Sequence, residues 1–194
     1  MTHVKISEKN SKLGRIANIS LTPIESCPKD IECAKICYAI RPYRRYPATR
    51  AAWDRNWHMF LDSPRNYRDS IIHMLKHGKL GTSGLFRFHV GGDIPNQEYL
   101  EGMKEIAETF PETRFMAFTK AVFLDFSDLP GNLSILESAW AGKPTVTDLP
   151  IAYVKELDNR AENHEIVHDC QGNCISCRKC WNANKGEAIN LHLH

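Results

Sequence analysis

The hydrophobic residues of this chain recur in two patterns, one typical of strands and one typical of helices. Residues 15–22 alternate polar and apolar side chains and predict a first strand. Residues 48–61 place Trp53, Trp57, Phe60 and Leu61 on one apolar helical face. Ser63 can cap a second helix with Pro64 at its first position, and Asn96 can cap a further one. Additional short apolar runs predict strands at residues 85–90, 114–118, 132–138 and 151–154.

Strands that alternate with helices along a chain indicate parallel βαβ units. We therefore predict an α/β fold with a parallel, partial (β/α) barrel-like sheet and a cysteine-rich C-terminal cap. The predicted domains are an α/β partial barrel with an N-terminal cysteine loop at residues 1–160 and a metal-binding segment at residues 161–194. Residues 41–47 are expected to be irregular, residues 121–129 to include a short helical stretch, and the last 25 residues to have little regular structure.

The composition is that of an ordinary globular protein, and it limits location more than function. The 194 residues are 42% hydrophobic and 25% charged, and the net charge of +2 neither demands nor excludes nucleic acid. No stretch approaches the roughly 18 apolar residues that a membrane span needs, and the first 15 residues lack the apolar core of a secretory signal. We expect a cytoplasmic protein with no membrane partner.

The seven cysteines form two sets, separated by 132 residues that contain none. In a reducing cytoplasm such clusters are more often metal ligands or redox groups than disulfides, and cysteines that merely fill a core would be scattered. We therefore predict that the cysteines bind metal. The N-terminal set is Cys27, Cys33 and Cys37, and the C-terminal set is Cys170, Cys174, Cys177 and Cys180.

The C-terminal set places four thiolates within eleven residues, enough to surround one tetrahedral ion or one cube-shaped cluster. Its C-x2-C-x2-C run is typical of iron–sulfur ligation. Structural zinc more often uses two C-x2-C pairs with a longer spacer, which this segment lacks. We expect a 4Fe-4S cluster here, with zinc as the alternative for Cys170 to Cys180.

The N-terminal set offers three thiolates, which suffice for a 4Fe-4S cluster with one iron left open to a ligand. Alternatively, a remote group completes the coordination, either a cysteine of the C-terminal set or His89. In that case the two sets would share one cluster, so the sequence leaves one or two centres open. For His89 itself, a hydrogen-bonded core residue is the more ordinary interpretation.

Polar residues follow several predicted strands, and the carboxyl ends of parallel strands share one edge, where ligands bind. We expect cofactor contacts at that edge, although the glycines are as well explained by a tight turn and the charged residues by solvent or a buried partner. The candidate cofactor-binding residues are Gly91, Gly92, Asp93, Lys120 and Glu137.

Along the chain, the first predicted strand is followed by CPKDIECAKICYA, FRFHVGGD, MAFTK and LSILES. This order of motifs resembles that of the radical S-adenosylmethionine enzymes. The resemblance implies a 4Fe-4S cluster on the N-terminal set, with S-adenosylmethionine on the open iron and Gly91-Gly92-Asp93 in place of a Gly-Gly-Glu motif. It also implies one-electron reductive chemistry and a protein reductant as partner. The cysteine spacing departs from that superfamily, being C-x5-C-x3-C rather than C-x3-C-x2-C.

A narrower resemblance covers nearly the whole chain. NSKLG at residues 10–14, the cysteine loop, the GGD and FTK strand ends, LPGNL at residues 129–133 and the C-terminal cysteines are similar to the phage gene product 88 family. This resemblance implies a phage or prophage origin, and therefore the cytoplasm of the host cell, but little chemistry.

The segment from Arg41 to Arg55 combines five arginines with aromatic residues and one acid, Asp54. Arginines with aromatics can bind phosphates and stack on bases, whereas the plainer interpretation is a solvated basic surface over core aromatics. The leading hypothesis is an iron–sulfur protein of radical S-adenosylmethionine-like architecture. The alternative is a non-enzymatic module, held together by iron–sulfur or zinc, that binds nucleic acid or a host protein.

Overall fold

The described part of the protein forms one eight-stranded sheet that is parallel except at one edge. The computed structural model describes residues 3–8, 13–29, 31–78 and 83–192. The spatial order of the strands is β1-β2-β3-β4-β5-β6-β8-β7, and within it β1 alone runs antiparallel to its neighbour. The strands are β1 (Ile6–Ser7), β2 (Ala17–Ile19), β3 (Leu85–Phe88), β4 (Arg114–Thr119), β5 (Leu133–Ser138), β6 (Ile151–Val154), β7 (Ile166–Asp169) and β8 (Glu187–Leu191).

The α/β class and the parallel sheet are confirmed, but the sheet is not closed. Strands β1 and β7 form its two edges and do not pair with each other. The segment at residues 161–194 was expected to be a cap, yet its strands β7 and β8 belong to the sheet, with β8 between β6 and β7. The division of the chain near residue 160 stays a prediction.

Two of the helices begin where the sequence predicts them because local capping groups fix their first turns. The helices are α1 (Ile40–Arg45), α2 (Pro47–Asp62), α3 (Pro64–His77), α4 (Gln97–Thr109) and the single turn α5 (Cys174–Cys177). The Ser63 hydroxyl accepts a hydrogen bond from the amide of Asn66 at 3.2 Å, and the Asn96 side chain accepts one from the amide of Tyr99 at 2.9 Å. Both predicted caps are therefore confirmed.

The two faces of the sheet are covered differently. Helices α2, α3 and α4 bury residues such as Phe60, Ile71 and Leu100 against Phe86 and Phe88 of β3. Parallel strands that follow one another in chain order place their helices on one face, so the second face needs another cover. Trp181, from a short 3-10 helix at Lys179–Trp181, belongs to the cluster on that second face, with further members Leu13, Ile16, Leu85, Met116, Leu136, Ala152 and Ile189.

Four local predictions were wrong. Residues Ile40–Arg45 form α1 rather than an irregular segment, because Pro42 lies in the first turn, where a missing amide hydrogen costs little. Residues 121–129 contain turns instead of a helix. The last 25 residues include β8, whose pairing with β6 and β7 is non-local and invisible in a five-residue run. Leu61, assigned to the buried face of α2, is 56% exposed.

None of the helices in the described residues is both long and apolar enough to cross a membrane.

Candidate metal centres

The N-terminal set lies in the loop that follows β2, and this loop contains a turn and a short helix. The Ser26 hydroxyl donates to the carbonyl oxygen of Thr22 at 2.7 Å, and a 3-10 helix at Glu32–Ile36 carries Cys33. Ile24 has a φ of 72°, a left-handed conformation that is unfavourable for a β-branched residue. Backbone strain of this kind is most common in functional loops.

The three thiols of the N-terminal set interact with one another. Burial, the Asp93 carboxylate and the neighbouring thiols of Cys33 and Cys37 together raise the pKa of Cys27 to about 12. Burial also raises the pKa of Cys33, and the positive charge of Lys120 partly opposes this. The structure therefore brings these cysteines together with two of the residues expected at the carboxyl edge of the sheet.

Gly91 and Gly92 hold the end of β3 tightly against the N-terminal loop and helix α2. A Cβ at Gly91 would lie 2.5 Å from the Trp53 ring. Gly92 has a φ of +88°, and a Cβ there would lie 2.5 Å from the Ser26 hydroxyl and 2.9 Å from the Cβ of Leu21. Any side chain at Gly92 would therefore push on the loop that carries Cys27.

Asp93 joins the ends of β3 and β4. One carboxylate oxygen accepts hydrogen bonds from the amide of Ile94 and the hydroxyl of Thr119, both at 2.7 Å, and the other accepts from the amide of Lys120 at 2.8 Å. Burial raises the pKa of Asp93, while these hydrogen bonds oppose the shift. The carboxylate already has a structural task, and its contact with a cofactor stays a prediction.

Lys120 and Glu137 continue the same edge of the sheet. The Lys120 ammonium donates to the Ser138 hydroxyl at 2.5 Å, so the end of β4 is connected to the end of β5. The Glu137 carboxylate is buried and accepts hydrogen bonds from the amide of Val146 and from the amide and hydroxyl of Thr147. These hydrogen bonds order the loop after β5, and a role of Glu137 in cofactor binding stays a prediction.

The C-terminal set lies on the second face of the sheet, where its four cysteines line a single pocket of about 330 Å³, including space open to solvent. Burial raises the pKa of Cys180 to about 12; Arg87 opposes this shift, and the other three thiols add to it. The neighbouring Trp181 donates from its indole nitrogen to the carbonyl oxygen of Phe86 at 3.0 Å. A buried aromatic side chain thus anchors this set to β3.

His89 lies apart from both sets in a left-handed conformation, with a φ of 60°. Its Nε2 is 2.9 Å from the Tyr99 hydroxyl, and its ring packs beside Phe88. Burial and the charge of Arg87 lower the pKa of His89 to about 3, so the ring is neutral near pH 7. These contacts describe a core histidine, although its buried Nδ1 has no hydrogen-bond partner among the residues that the structure describes.

The donors of both sets suit a thiophilic metal centre. The raised pKa values of Cys27, Cys33 and Cys180 mean that these three thiols are protonated without metal, and a bound cation would stabilise their thiolates. All seven cysteines lie in the described part of the chain, where they are in the thiol form and partly exposed. Among the described residues, no three His, Cys, Asp or Glu side chains are already in position around a metal ion, so binding would have to gather the thiols.

Sequence reasoning missed Arg87 and Tyr38. Arg87 is only 9% exposed and influences the pKa of both Cys180 and the Tyr38 hydroxyl. Tyr38, next to Cys37, donates to the carbonyl oxygen of Val90 at 2.5 Å. The alternation in LFRF could have identified Arg87, because it places this charged residue on the face opposite Phe86 and Phe88.

Comparison with known proteins gives a family and no structural relative. The family model for gene product 88 matches residues 2–183. The Gene 88 protein of Mycobacterium phage D29 is 25% identical over an aligned length of 194 positions. The alignment covers 82% of this chain and 80% of the phage protein. No solved structure matches. Residues 10–12 of the NSKLG motif lie outside the described residues. Because the family model matches most of its length, the chain belongs to the gene product 88 family of bacteriophages.

Proposed function

We propose that this protein is an iron–sulfur protein with two metal centres, a 4Fe-4S cluster with one open iron on the N-terminal set and a second centre on the C-terminal set. The observation that carries this proposal is the grouping of the thiols. Cys27 interacts with Cys33 and Cys37, whereas Cys180 interacts with the other members of its own set. This grouping favours two centres over one shared cluster.

Architecture of the radical S-adenosylmethionine kind is the finer part of the proposal. Six parallel strands, β2 to β6 and then β8, lie side by side in the order in which they occur along the chain, as in a partial (β/α) barrel. The N-terminal set follows the first of these strands and Gly91-Gly92-Asp93 follows the second. The chemistry that such a centre would supply is one-electron reductive cleavage of S-adenosylmethionine, with electrons from a protein reductant.

The residues at this edge suit a small polar cofactor. The Lys120 ammonium is half-buried and lies 6.0 Å from the centre of the Trp140 ring, so it could bind a carboxylate with an aromatic surface beside it. Gly91 and Gly92 let the end of β3 pack closely against Trp53 and the loop that carries Cys27, which brings the two cofactor-binding segments together. Asp93 and Glu137 fix the strand ends on which these groups lie.

The test is anaerobic purification followed by measurement of iron, acid-labile sulfide and zinc. The proposal expects a brown protein with roughly four iron and four sulfide atoms for each occupied set. Cys33→Ser should remove one centre and Cys177→Ser the other, each leaving its partner set loaded. A colourless zinc protein, or simultaneous loss of all iron in either variant, would overturn the two-cluster proposal.

The cofactor part has its own test. The electron paramagnetic resonance spectrum of the reduced Cys177→Ser protein, which keeps only the N-terminal centre, should change when S-adenosylmethionine is added. Wild-type protein treated with adenosine and methionine separately is the control. A spectrum that ignores S-adenosylmethionine would leave the cluster in place and reject the radical chemistry.

A second candidate function, binding of nucleic acid, is favoured by one observation about α1 and α2. All five arginines of the basic segment are exposed, and within the described residues none lies at ion-pair distance from a carboxylate. Unpaired arginines beside an exposed aromatic such as Tyr46 suit phosphates and bases. The five are Arg41, Arg44, Arg45, Arg50 and Arg55.

This candidate predicts affinity for single-stranded DNA or RNA that falls with salt. The double variant Arg44→Ala/Arg45→Ala should lose most of that affinity, whereas the matched control Arg65→Ala/Lys76→Ala on α3 should keep it. No binding by the wild-type protein at low salt would dismiss the nucleic-acid form of the alternative.

A further inference from the structure

Arg87 is a buried cation on the second face of the sheet. Along β3, Phe86 and Phe88 pack with the helices, so the side chain of Arg87 projects to the opposite face with that of Leu85. The guanidinium carbon lies 5.2 Å from the centre of the Phe118 ring, and Nε donates to the carbonyl oxygen of His89 at 3.1 Å.

The charge of Arg87 acts on the Cys180 thiol and, among the described residues, is not paired with a carboxylate. In the part of the chain that the structure describes, no Asp or Glu forms an ion pair with its guanidinium. Trp181, the residue after Cys180, donates to the carbonyl oxygen of Phe86, the residue before Arg87, and Cys180 packs against the same second-face cluster. The charge of Arg87 also opposes the rise in the pKa of Cys180. A guanidinium stays charged at any ordinary pH, so the described part of the fold buries a positive charge that no carboxylate neutralises.

An uncompensated buried charge is strongly unfavourable, because desolvation is not repaid by attraction. A metal centre on four thiolates would supply the missing negative charge. Four thiolates around a zinc ion carry a net charge of about −2, and four thiolates around an oxidised 4Fe-4S core carry the same. The argument therefore does not depend on which metal is present.

We propose that Arg87 is the buried counter-charge of a thiolate–metal centre at Cys170, Cys174, Cys177 and Cys180. This inference rests on the proposed metal binding of the C-terminal set and adds how the fold holds that centre. The positive charge stabilises the assembled thiolates and slows their release of metal. In an iron–sulfur centre, it favours the more negative, reduced state and so raises the reduction potential.

The test uses full-length protein in the Cys33→Ser background, so that the C-terminal centre alone contributes. Release of metal to a competing chelator is compared among Arg87→Met, Arg87→Gln and the charge-retaining Arg87→Lys. Lys179→Met is the matched control, because it removes an exposed cation from the same pocket. We expect release at least tenfold faster for the two neutral variants, and close to the parent rate for Arg87→Lys and Lys179→Met.

Two further readouts separate a counter-charge from a packing role. If the centre is iron–sulfur, Arg87→Met should lower the reduced-to-oxidised ratio at a fixed potential by at least tenfold, which is about 59 mV for one electron. The difference in Tm between metal-bound and metal-free protein should also shrink, because the metal-free protein no longer buries an unpaired charge. A purely structural arginine would lower both Tm values alike.

The outcomes are distinguishable from failure of the proposed function. Zinc in place of iron would reject the iron–sulfur centre, yet the chelator comparison would still decide the role of Arg87. Equal release rates for the parent, Arg87→Met and Arg87→Gln would overturn the inference while leaving the metal centre intact. A C-terminal set that holds no metal in the parent protein would overturn both.

Discussion

The two cysteine sets use the same side chain in different settings. The C-terminal set lines one pocket, where Trp181 anchors the segment to β3 and the charge of the buried Arg87 opposes the rise in the pKa of Cys180. The N-terminal set lies in a loop beyond β2, beside the polar strand ends, with exposed apolar side chains such as Ile36 and Tyr38 around it.

The difference suggests a division of labour. Four thiols in one pocket can complete the coordination of a centre and leave no place for a ligand, which suits electron transfer or structure. Three thiols beside Lys120 and the glycine turn leave a position open, which suits binding of a cofactor. The following experiments test whether the two sets are as independent as this comparison implies.

The largest effect is expected for Trp181→Ala. Removing a fully buried tryptophan and its hydrogen bond to Phe86 should cost about 3 to 5 kcal/mol in the free energy of unfolding. Chemical denaturation measures this cost, and metal analysis should show loss from the C-terminal set only. Equal loss from both sets would mean that they are not independent. Trp181→Phe, which keeps most of the apolar contact, is the control.

Gly92→Ala should have the next largest effect and act on the other set. The positive φ and the close approach of Ser26 and Leu21 predict a loss of about 2 to 4 kcal/mol in stability. Gly142→Ala is the matched control, because Gly142 has a φ of +77° but a Cβ there would meet none of the described residues within 4 Å beyond its chain neighbours, so its cost should be about 1 kcal/mol. Metal content in the N-terminal set should fall for Gly92→Ala alone.

His89 predicts a pH dependence that neither cysteine set shares. Its pKa is about 3 in the folded protein against about 6.5 when unfolded, so its contribution to stability is complete above pH 6.5 and is lost as the pH falls from there towards 3. Between pH 7 and pH 5 this amounts to about 2 kcal/mol.

Urea unfolding at both pH values should show this difference between wild type and His89→Asn, whose asparagine tolerates the left-handed backbone. The comparison concerns the change with pH, since loss of the Tyr99 contact lowers stability at both values. An identical pH dependence in the two proteins would mean that His89 is not a neutral core residue.

The smallest effect on stability is expected for Arg44→Ala/Arg45→Ala. Both side chains are exposed and lie outside either cysteine set, so the free energy of unfolding should change by no more than about 0.5 kcal/mol. Metal content should be unchanged. If thermal unfolding shows a clear loss, the basic segment contributes to the fold, and any loss of nucleic-acid affinity could not be assigned to direct contacts.

Local signals in the sequence predicted what local interactions decide. Helix α4 has a cap at Asn96, and the apolar residues at helical spacing after it are all buried, namely Tyr99, Leu100, Met103, Ile106 and Ala107. Strand β8 has no such signal, because its five residues become a strand only through pairing with β6 and β7. Likewise, the spacing of the cysteines predicted their two sets. The neighbours of Arg87, in contrast, depend on which distant segment covers the second face of the sheet.

The position of β8 has a consequence for the synthesis of the protein. This strand lies between β6 and β7, although it follows both in the chain. Until the ribosome has released residues 187–191, β6 and β7 each present an unpaired edge, of the kind that promotes aggregation. The C-terminal cysteines emerge just before that strand, so the proposed metal centre and the sheet could be completed in the same interval of biosynthesis.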